Sequence, residues 1–201
     1  GAEEILRRQF LASVIDTLAR ENHPAIPSGG HGGGTAKTAL GATGEGSLIT
    51  TLCERIERDG ALLVQAFTAA FQERTPALDR LSSWVTQDAG AGPREMLQRA
   101  AAEHRAESEQ LHRQERQIRE ALPELKVAAD RPNATEEDKR AHRSAKGARK
   151  AAEGARKAAE GARKAAESRI FDLDREHWVS ALERHGILPN YTLIDDSVRL
   201  S

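Results

Sequence analysis

The sequence predicts a mainly α-helical protein that ends in a short β-hairpin. Several stretches repeat apolar residues every three or four positions, residues 99–169 are nearly all strong helix formers, and the periodicity changes close to the C-terminus. Apolar residues make up 38% of the chain and concentrate in residues 5–20, 47–85 and 170–200. We therefore expect amphipathic helices around a modest core, together with a long polar helical arm.

The composition divides the chain into three predicted parts. Residues 1–92 form a helical core segment with a glycine-rich loop at residues 23–46, whose backbone is costly to order. Residues 93–169 form a long polar and basic helical arm, which can make helix but little core. Residues 170–201 form a helix followed by the β-hairpin, whose strands YTLI and SVRL flank the turn residues Asp195 and Asp196.

Local signals place the ends of the helices. Three residues are predicted N-caps, because their side chains can accept a hydrogen bond from the first turn: Ser47, Thr135 and Asp174. Pro76 and Pro93 each fit the first position of a helix. Pro123 lacks a backbone N–H, so we expect it to close or kink the polar helix.

The clearest internal repeat is GARKAAE, which occurs at residues 147–153, 154–160 and 161–167. Glu153 and Glu160 each precede a Lys by four positions, Lys157 and Lys164, an arrangement that stabilises an exposed helix. A thin seam of small residues is predicted at Ala148, Ala151, Ala155 and Ala158. Such a seam favours a spacer helix over a coiled-coil core.

The basic stretch at residues 139–169 holds eleven Lys or Arg residues against three Glu. Six of them recur every seven positions and lie nearly in line along a helix: Arg149, Lys150, Arg156, Lys157, Arg163 and Lys164. Such a ridge can follow phosphates without reading bases, so these six residues are the predicted nucleic-acid-binding site. The alternative is a solvated helix kept soluble by charge, because no aromatic residues are interleaved for base stacking.

Three other motifs are incomplete. The GGGTAKT segment around Lys37 has His31 where a phosphate-binding loop needs its first glycine. The HGGG at residues 31–34 is typical of an esterase oxyanion loop, but the chain has no G-x-S-x-G nucleophile elbow. Glu109 and His112 form one E-x-x-H, whereas a di-iron site needs a second copy. We therefore predict no catalytic residue and no metal site.

Charge and cysteine content narrow the function classes. Thirty basic and 31 acidic residues give a net charge of −1, so any attraction to nucleic acid must be local. The single cysteine, Cys53, excludes an internal disulfide framework and a multi-cysteine metal cluster, and it fits a reducing cytoplasm. No apolar run approaches the roughly 20 residues of a membrane span, so we expect no membrane anchor.

Both ends of the chain resemble a known family. The segments EEILRRQFLASVIDTLAR (3–20) and REHWVSALERHGILPNYTLIDDSVRL (175–200) resemble large DEAD/DEAH-box superfamily 2 helicases, in the helical region after the second motor lobe. The most specific part is HGILPNYTLIDDSVRL, which in that family leads into a β-rich C-terminal region. The resemblance implies an accessory helical segment of an ATP-dependent DNA or RNA helicase or translocase, of the kind found in DNA repair and phage defence.

The resemblance also implies partners and cofactors. ATP and Mg would belong to the parent helicase, and the partners of this segment would be the motor lobes and a DNA or RNA backbone. No Walker A lysine motif, D-E-A-D or D-E-x-H box, or zinc cysteine set occurs in the 201 residues, so no ATPase residue is assigned and the segment is expected to be inactive alone. The alternative function is a structural or protein-interaction helical module without nucleic-acid activity.

The two ends carry the residues that look most suited to a core. Phe10 and Val14 lie on one face of the N-terminal helix, and Trp178 and Leu182 lie on one face of the C-terminal helix. We expect these two helices to pack close together.

Overall fold

The structure is a computed structural model that describes residues 1–27, 33–129 and 139–190, with the backbone alone for residues 139–144. Within these ranges it contains six α-helices: α1 (Ala2–Arg20), α2 (Leu48–Thr68), α3 (Pro76–Thr86), α4 (Ala91–Ala129), α5 (Lys139–Arg175) and α6 (Trp178–Arg184). A short π-helix spans Lys37–Gly41 and a 3₁₀ turn spans Gln87–Ala89. The mainly α prediction is confirmed, whereas the predicted β-hairpin lies outside the described residues.

The chain divides into two compact units. The globular unit combines Gly1–Ala106 with Asp174–Ser201, and the hairpin unit is Glu107–Leu173. Helices α4 and α5 each contribute residues to both units. The predicted boundaries at residues 92 and 169 thus differ from those of the units, since residues 93–106 belong to the globular unit and residues 170–173 to the hairpin unit.

A single buried cluster holds the globular unit together. Phe10 and Leu18 of α1, Leu52 of α2, Val85 of α3 and Leu97 of α4 are each fully buried in it. Removing such side chains from water supplies about 1.5 to 3 kcal/mol each. The four helices therefore stabilise one another through a shared apolar core.

Both ends of the chain contribute to one buried cluster, but the main neighbour of α6 is the π-helix at Lys37–Gly41. Phe10 and Val14 of α1 and Leu182 of α6 all belong to the buried cluster. Trp178 is only half-buried and packs against that cluster from its edge. Leu182, and not Trp178, is thus the main apolar anchor of α6.

Polar contacts fix α1 against its neighbours. Arg55 of α2 donates two hydrogen bonds to the Glu21 carboxylate, at 2.9 and 2.8 Å. Arg80 of α3 pairs with Glu3, and the Arg7 guanidinium lies 4.9 Å from the ring centroid of Trp84. Each end of α1 is therefore tied to a different helix.

Two of the predicted helix starts are confirmed. Ser47 precedes α2, and its hydroxyl accepts a hydrogen bond from the backbone N–H of Thr50 at 3.3 Å. Pro76 opens α3, behind a Thr75 cap that accepts from the N–H of Leu78. Within α2, the backbone angles of Asp59 are non-helical.

Two predicted helix starts are wrong, and Pro123 does not close α4. Helix α4 begins at Ala91, two residues before Pro93, and continues past Pro123 to Ala129. Asp174 lies inside α5 and therefore does not cap a helix. The predicted cap Thr135 lies outside the described residues.

Packing accounts for the longer helices. Leu125, beyond Pro123, is half-buried, and Leu173, next to Asp174, is buried. Burial of an apolar face stabilises a helix more than local signals do, so each helix continues through its predicted end. The cap of α6 is His177, which accepts a hydrogen bond from the N–H of Val179.

The second half of the glycine-rich loop is held by the segment between α5 and α6. The backbone N–H of Ala36 donates to Glu176 O at 2.7 Å, and that of Trp178 donates to Gly34 O at 3.0 Å. These bonds surround an isolated antiparallel β-bridge between Thr35 and His177. Hydrogen bonds from a distant part of the chain thus offset the conformational entropy that this part of the loop loses on folding.

The core assignment predicts the effect of truncating α6. We expect Leu182→Ala to lower the free energy of unfolding by about 2 to 5 kcal/mol, because Leu182 is fully buried. Leu62→Ala is the matched control, since Leu62 is 68% exposed and should change stability by less than about 0.5 kcal/mol. Urea unfolding followed by circular dichroism measures both. Equal midpoints for the two variants would contradict the assignment of α6 to the core.

The Glu21–Arg55 pair predicts a response to acid. The hydrogen bond from Arg55 lowers the pKa of Glu21, so the pair stabilises the fold above the unfolded pKa of about 4.3 and is lost as pH falls through the lower folded value. We expect Glu21→Gln to lose less stability than the unmodified chain when pH falls from 6 to 3. The exposed Glu54 on α2 supplies the control variant Glu54→Gln. Urea unfolding at both pH values tests this, and parallel losses in all three chains would contradict it.

Candidate nucleic-acid interface on the hairpin unit

The hairpin unit is built on a regular seam along α4. Within residues 107–129, the residues that follow a three–four spacing are buried or half-buried: Ser108, Leu111, Glu115, Ile118, Leu122, Leu125 and Ala129. This spacing is that of the a and d positions of a heptad. One member, Glu115, is a carboxylate that is only 8% exposed.

Helix α5 presents a matching seam, but not the predicted one. Its buried and half-buried residues between 145 and 173 are Ala152, Arg156, Ala159, Arg163, Ala166, Ile170 and Leu173. The predicted seam at Ala148, Ala151, Ala155 and Ala158 is wrong, because all four of these alanines are exposed. The long stems of the arginines fill seam positions that alanine is too short to fill.

Two contacts show that α4 and α5 pair in antiparallel fashion. The Nε of Arg163 lies 3.5 Å from the Glu115 carboxylate, and the Nε of Arg149 donates to Ala129 O at 3.2 Å. From Ala129 to Glu115 is fourteen residues toward the N-terminus of α4, and from Arg149 to Arg163 is fourteen residues toward the C-terminus of α5. The two helices therefore keep the same heptad phase over two repeats.

The arginines of the repeat are engaged within the hairpin unit. Arg163 pairs with both Glu115 and Glu167, and Arg156 pairs with Glu160 at 3.4 Å. Glu160, which was expected to pair with Lys164, pairs instead with Arg156, four residues earlier, and Glu167 pairs in the same way with Arg163. Arginine competes successfully because its planar guanidinium matches a carboxylate.

The lysines of the repeat are placed differently. Lys150, Lys157 and Lys164 are all exposed, and among the described residues none of the three forms an ion pair. A Cβ added at Gly154 or Gly161 would meet no atom within 4 Å, so the surface beside the lysines is open. The structure therefore separates the six predicted site residues: Arg156 and Arg163 lie in the seam, Arg149 is exposed but donates to Ala129 O, and the three lysines lie in solvent.

The incomplete motifs gain no support from the geometry. Lys37, Glu109 and His112 are all exposed, and His31 lies outside the described residues. In the part of the chain that the structure describes, no group of three or more His, Cys, Asp or Glu side chains could hold a metal ion. No helix in that part is both long and apolar enough to cross a membrane.

Two buried polar features escaped sequence reasoning. His104 is 2% exposed and meets the His185 ring edge-on at 6.0 Å, while His185 Nδ1 lies 3.2 Å from the Glu103 carboxylate. These contacts join α4 to the residue after α6 in the globular unit. The second feature is the buried carboxylate of Glu115. Its burial could have been predicted, because Glu115 shares the three–four spacing of the apolar residues of α4.

Cys53 behaves as the sequence suggests for a small apolar residue. Burial raises the pKa of its thiol, so the reactive thiolate is disfavoured. The side chain is half-buried and packs against the core cluster. It therefore belongs to the packing of α2.

Comparison with protein-family models, curated proteins and solved structures finds no match to this chain. The helicase resemblance of the two ends therefore stays a prediction.

The seam predicts a role for Glu115 in stability. We expect Glu115→Ala to destabilise the hairpin unit by about 1 to 2 kcal/mol, because Arg163 loses its partner on α4 and a gap opens in the seam. Glu120→Ala is the control, since Glu120 is exposed on the same helix. Thermal unfolding followed by helix ellipticity measures both. If the Glu115→Ala variant melts together with the control, the ion pair contributes nothing to stability.

Proposed function

We propose that this chain is an accessory helical segment of an ATP-dependent DNA or RNA helicase or translocase, in which the lysines of α5 contact the nucleic-acid backbone. Motor activity, ATP and Mg would belong to the parent protein. DNA repair and phage defence are the settings that the resemblance suggests.

The observation that carries this proposal is the meeting of the two ends in one core. Residues 3–20 and 175–200 bear the resemblance, and their described helices contribute Phe10, Val14 and Leu182 to the same buried cluster. The Arg8 guanidinium also lies 3.4 Å from the position of a Cβ built on Gly186. If both segments come from the same region of one family, they are expected to fold together. The hairpin unit, Glu107–Leu173, then lies between them in the sequence.

The exposed lysines of α5, which form no ion pairs among the described residues, support the nucleic-acid contact. Because Glu160 and Glu167 pair with arginines, the positive charges of Lys157 and Lys164 have no ion-pair partner among the described residues. Lysines spaced by seven residues recur about every 10.5 Å along a helix. A line of exposed cations beside small residues can approach phosphates and release their counterions without reading sequence.

The seam gives specific support to the second candidate, a structural or protein-interaction module. Arg156 and Arg163 serve contacts within the hairpin unit, which leaves only half of the predicted ridge for a ligand. In this alternative the hairpin is a spacer, and its lysines only keep it soluble.

A salt titration separates the two candidates. We expect Lys150→Gln, Lys157→Gln and Lys164→Gln together to lower affinity by similar factors for unrelated DNA or RNA sequences. The slope of log affinity against log salt should fall by roughly two to three units, at about 0.9 for each phosphate that is no longer neutralised. Fluorescence anisotropy with labelled oligonucleotides measures both quantities.

The arginines of the same repeats provide the matched control. Arg149→Gln, Arg156→Gln and Arg163→Gln together remove the same charge, but from side chains that contact Ala129 O, Glu160 and Glu115. We expect a smaller change in slope and a larger loss of thermal stability. Superimposable titrations for the unmodified chain and the lysine variant would reject the nucleic-acid contact and favour the spacer.

A further inference from the structure

Helix α5 carries an exposed aromatic ring in line with its exposed lysines. Phe171 follows Lys164 by seven residues, which is also the spacing from Lys150 to Lys157 and from Lys157 to Lys164. Each of the last three residues of this series directly follows a half-buried residue of the seam. The three lysines and Phe171 therefore occupy the same heptad position and lie along the same side of the helix.

The continuation of α5 beyond its predicted end brings this ring into the line. The basic stretch at residues 139–169 contains no aromatic residue, which favoured a solvated helix over a nucleic-acid contact. Helix α5 continues to Arg175, however, and so includes Phe171. The sequence has no Phe, Tyr or Trp between Trp84 and Phe171, so Phe171 is the one such ring in residues 107–173. The hairpin unit thus has an aromatic side chain at the end of its line of lysines.

The ring of Phe171 is accessible, although apolar residues beside it are not. Phe171 is 55% exposed, whereas Leu173, two positions later, is only 7% exposed. Proteins that bind single-stranded nucleic acid combine cations that follow the backbone with aromatic rings on which unpaired bases stack. Lysines and Phe171 together supply both parts of such a surface.

The surface between these side chains is low. Small residues lie one turn before Lys157, Lys164 and Phe171 at the repeat position that is glycine in each copy: Gly154, Gly161 and Ser168. A Cβ added at Gly154 or Gly161 would meet no atom within 4 Å. The acid between Lys164 and Phe171 is Glu167, which pairs with Arg163 at 3.2 Å. A strand can therefore approach the lysines and the ring without crossing a bulky side chain.

We propose that the nucleic acid contacted by α5 is single-stranded, with its phosphates along the lysines and one unpaired base stacked on Phe171. This inference rests on the nucleic-acid contact proposed above and names the form of nucleic acid. Lys150 and Phe171 are 21 residues apart, so the line extends about 31 Å along the helix. Inside a duplex each base is stacked between its neighbours, and a ring reaches its face only after costly unstacking.

Affinities of the full chain for an oligothymidylate and for a duplex of the same length test this inference. We expect Phe171→Ala to weaken oligothymidylate binding about 5- to 100-fold, the range for losing one stacked base, and to leave duplex binding unchanged. The slope of log affinity against log salt should stay the same, because no charge is removed. Phe171→Leu keeps an apolar side chain without a ring, so its affinity should also fall.

A larger ring supplies a rescue and a direct signal. Phe171→Trp should keep the affinity for oligothymidylate, because an indole also stacks on bases. Its emission, above that of Trp84 and Trp178 in the unmodified chain, should be quenched when the oligonucleotide binds. Phe71→Leu is the matched control, since Phe71 is a 40% exposed ring on the globular unit, and it should leave the affinity unchanged.

The outcomes separate this inference from the proposed function. Circular dichroism first establishes which variants keep their helix. Unchanged oligothymidylate affinity in a helical Phe171→Ala or Phe171→Leu variant would overturn the stacking, as would an equal loss for the duplex. If the lysine variant still loses affinity in that case, the backbone contact stands and only the stacking is rejected. If the unmodified chain binds neither form of nucleic acid, both proposals are rejected.

Discussion

The pairing of Arg163 with Glu115 is the contact on which the hairpin unit depends. It lies where the two heptad seams meet, and it joins helices that otherwise offer each other alanines and a few leucines and isoleucines. The pair adds little net stability, because Arg163 is partly exposed to solvent and the desolvation of Glu115 offsets much of the Coulombic gain. Its larger effect is on specificity, because only one phase of α5 places a cation beside the carboxylate.

The same pairing accounts for the distribution of charge on α5. Arg156 and Arg163 lie in the seam and form ion pairs with Glu160 and Glu167. The lysines one position later are exposed and form no ion pair among the described residues. One helical step of about 100° separates neighbouring residues, which is enough to move a side chain from the seam to the surface. A repeat with two cations and one anion thus presents an exposed line of positive charge.

The globular unit depends on a different constraint. Its helices come from both ends of the chain, and Phe10, Leu97 and Leu182 must be buried in the same cluster. The bonds of Ala36 and Trp178 to the opposite segments add backbone pairing to this core. These contacts hold residues 33–46 of the glycine-rich loop in place, which the composition of the loop alone would not do.

The sequence by itself determined the helical class, the helix starts at Ser47 and Pro76 and the apolar faces of α1 and α6 that enter the core, because periodicity and local hydrogen bonding encode them. It also placed the six basic residues of the GARKAAE repeats on one helix. Only the tertiary structure decided that α4 continues past Pro123, that α5 continues past Asp174, and which face of α5 forms the seam. These features depend on residues of the other helix, such as Glu115, and contacts between helices outweigh local propensity.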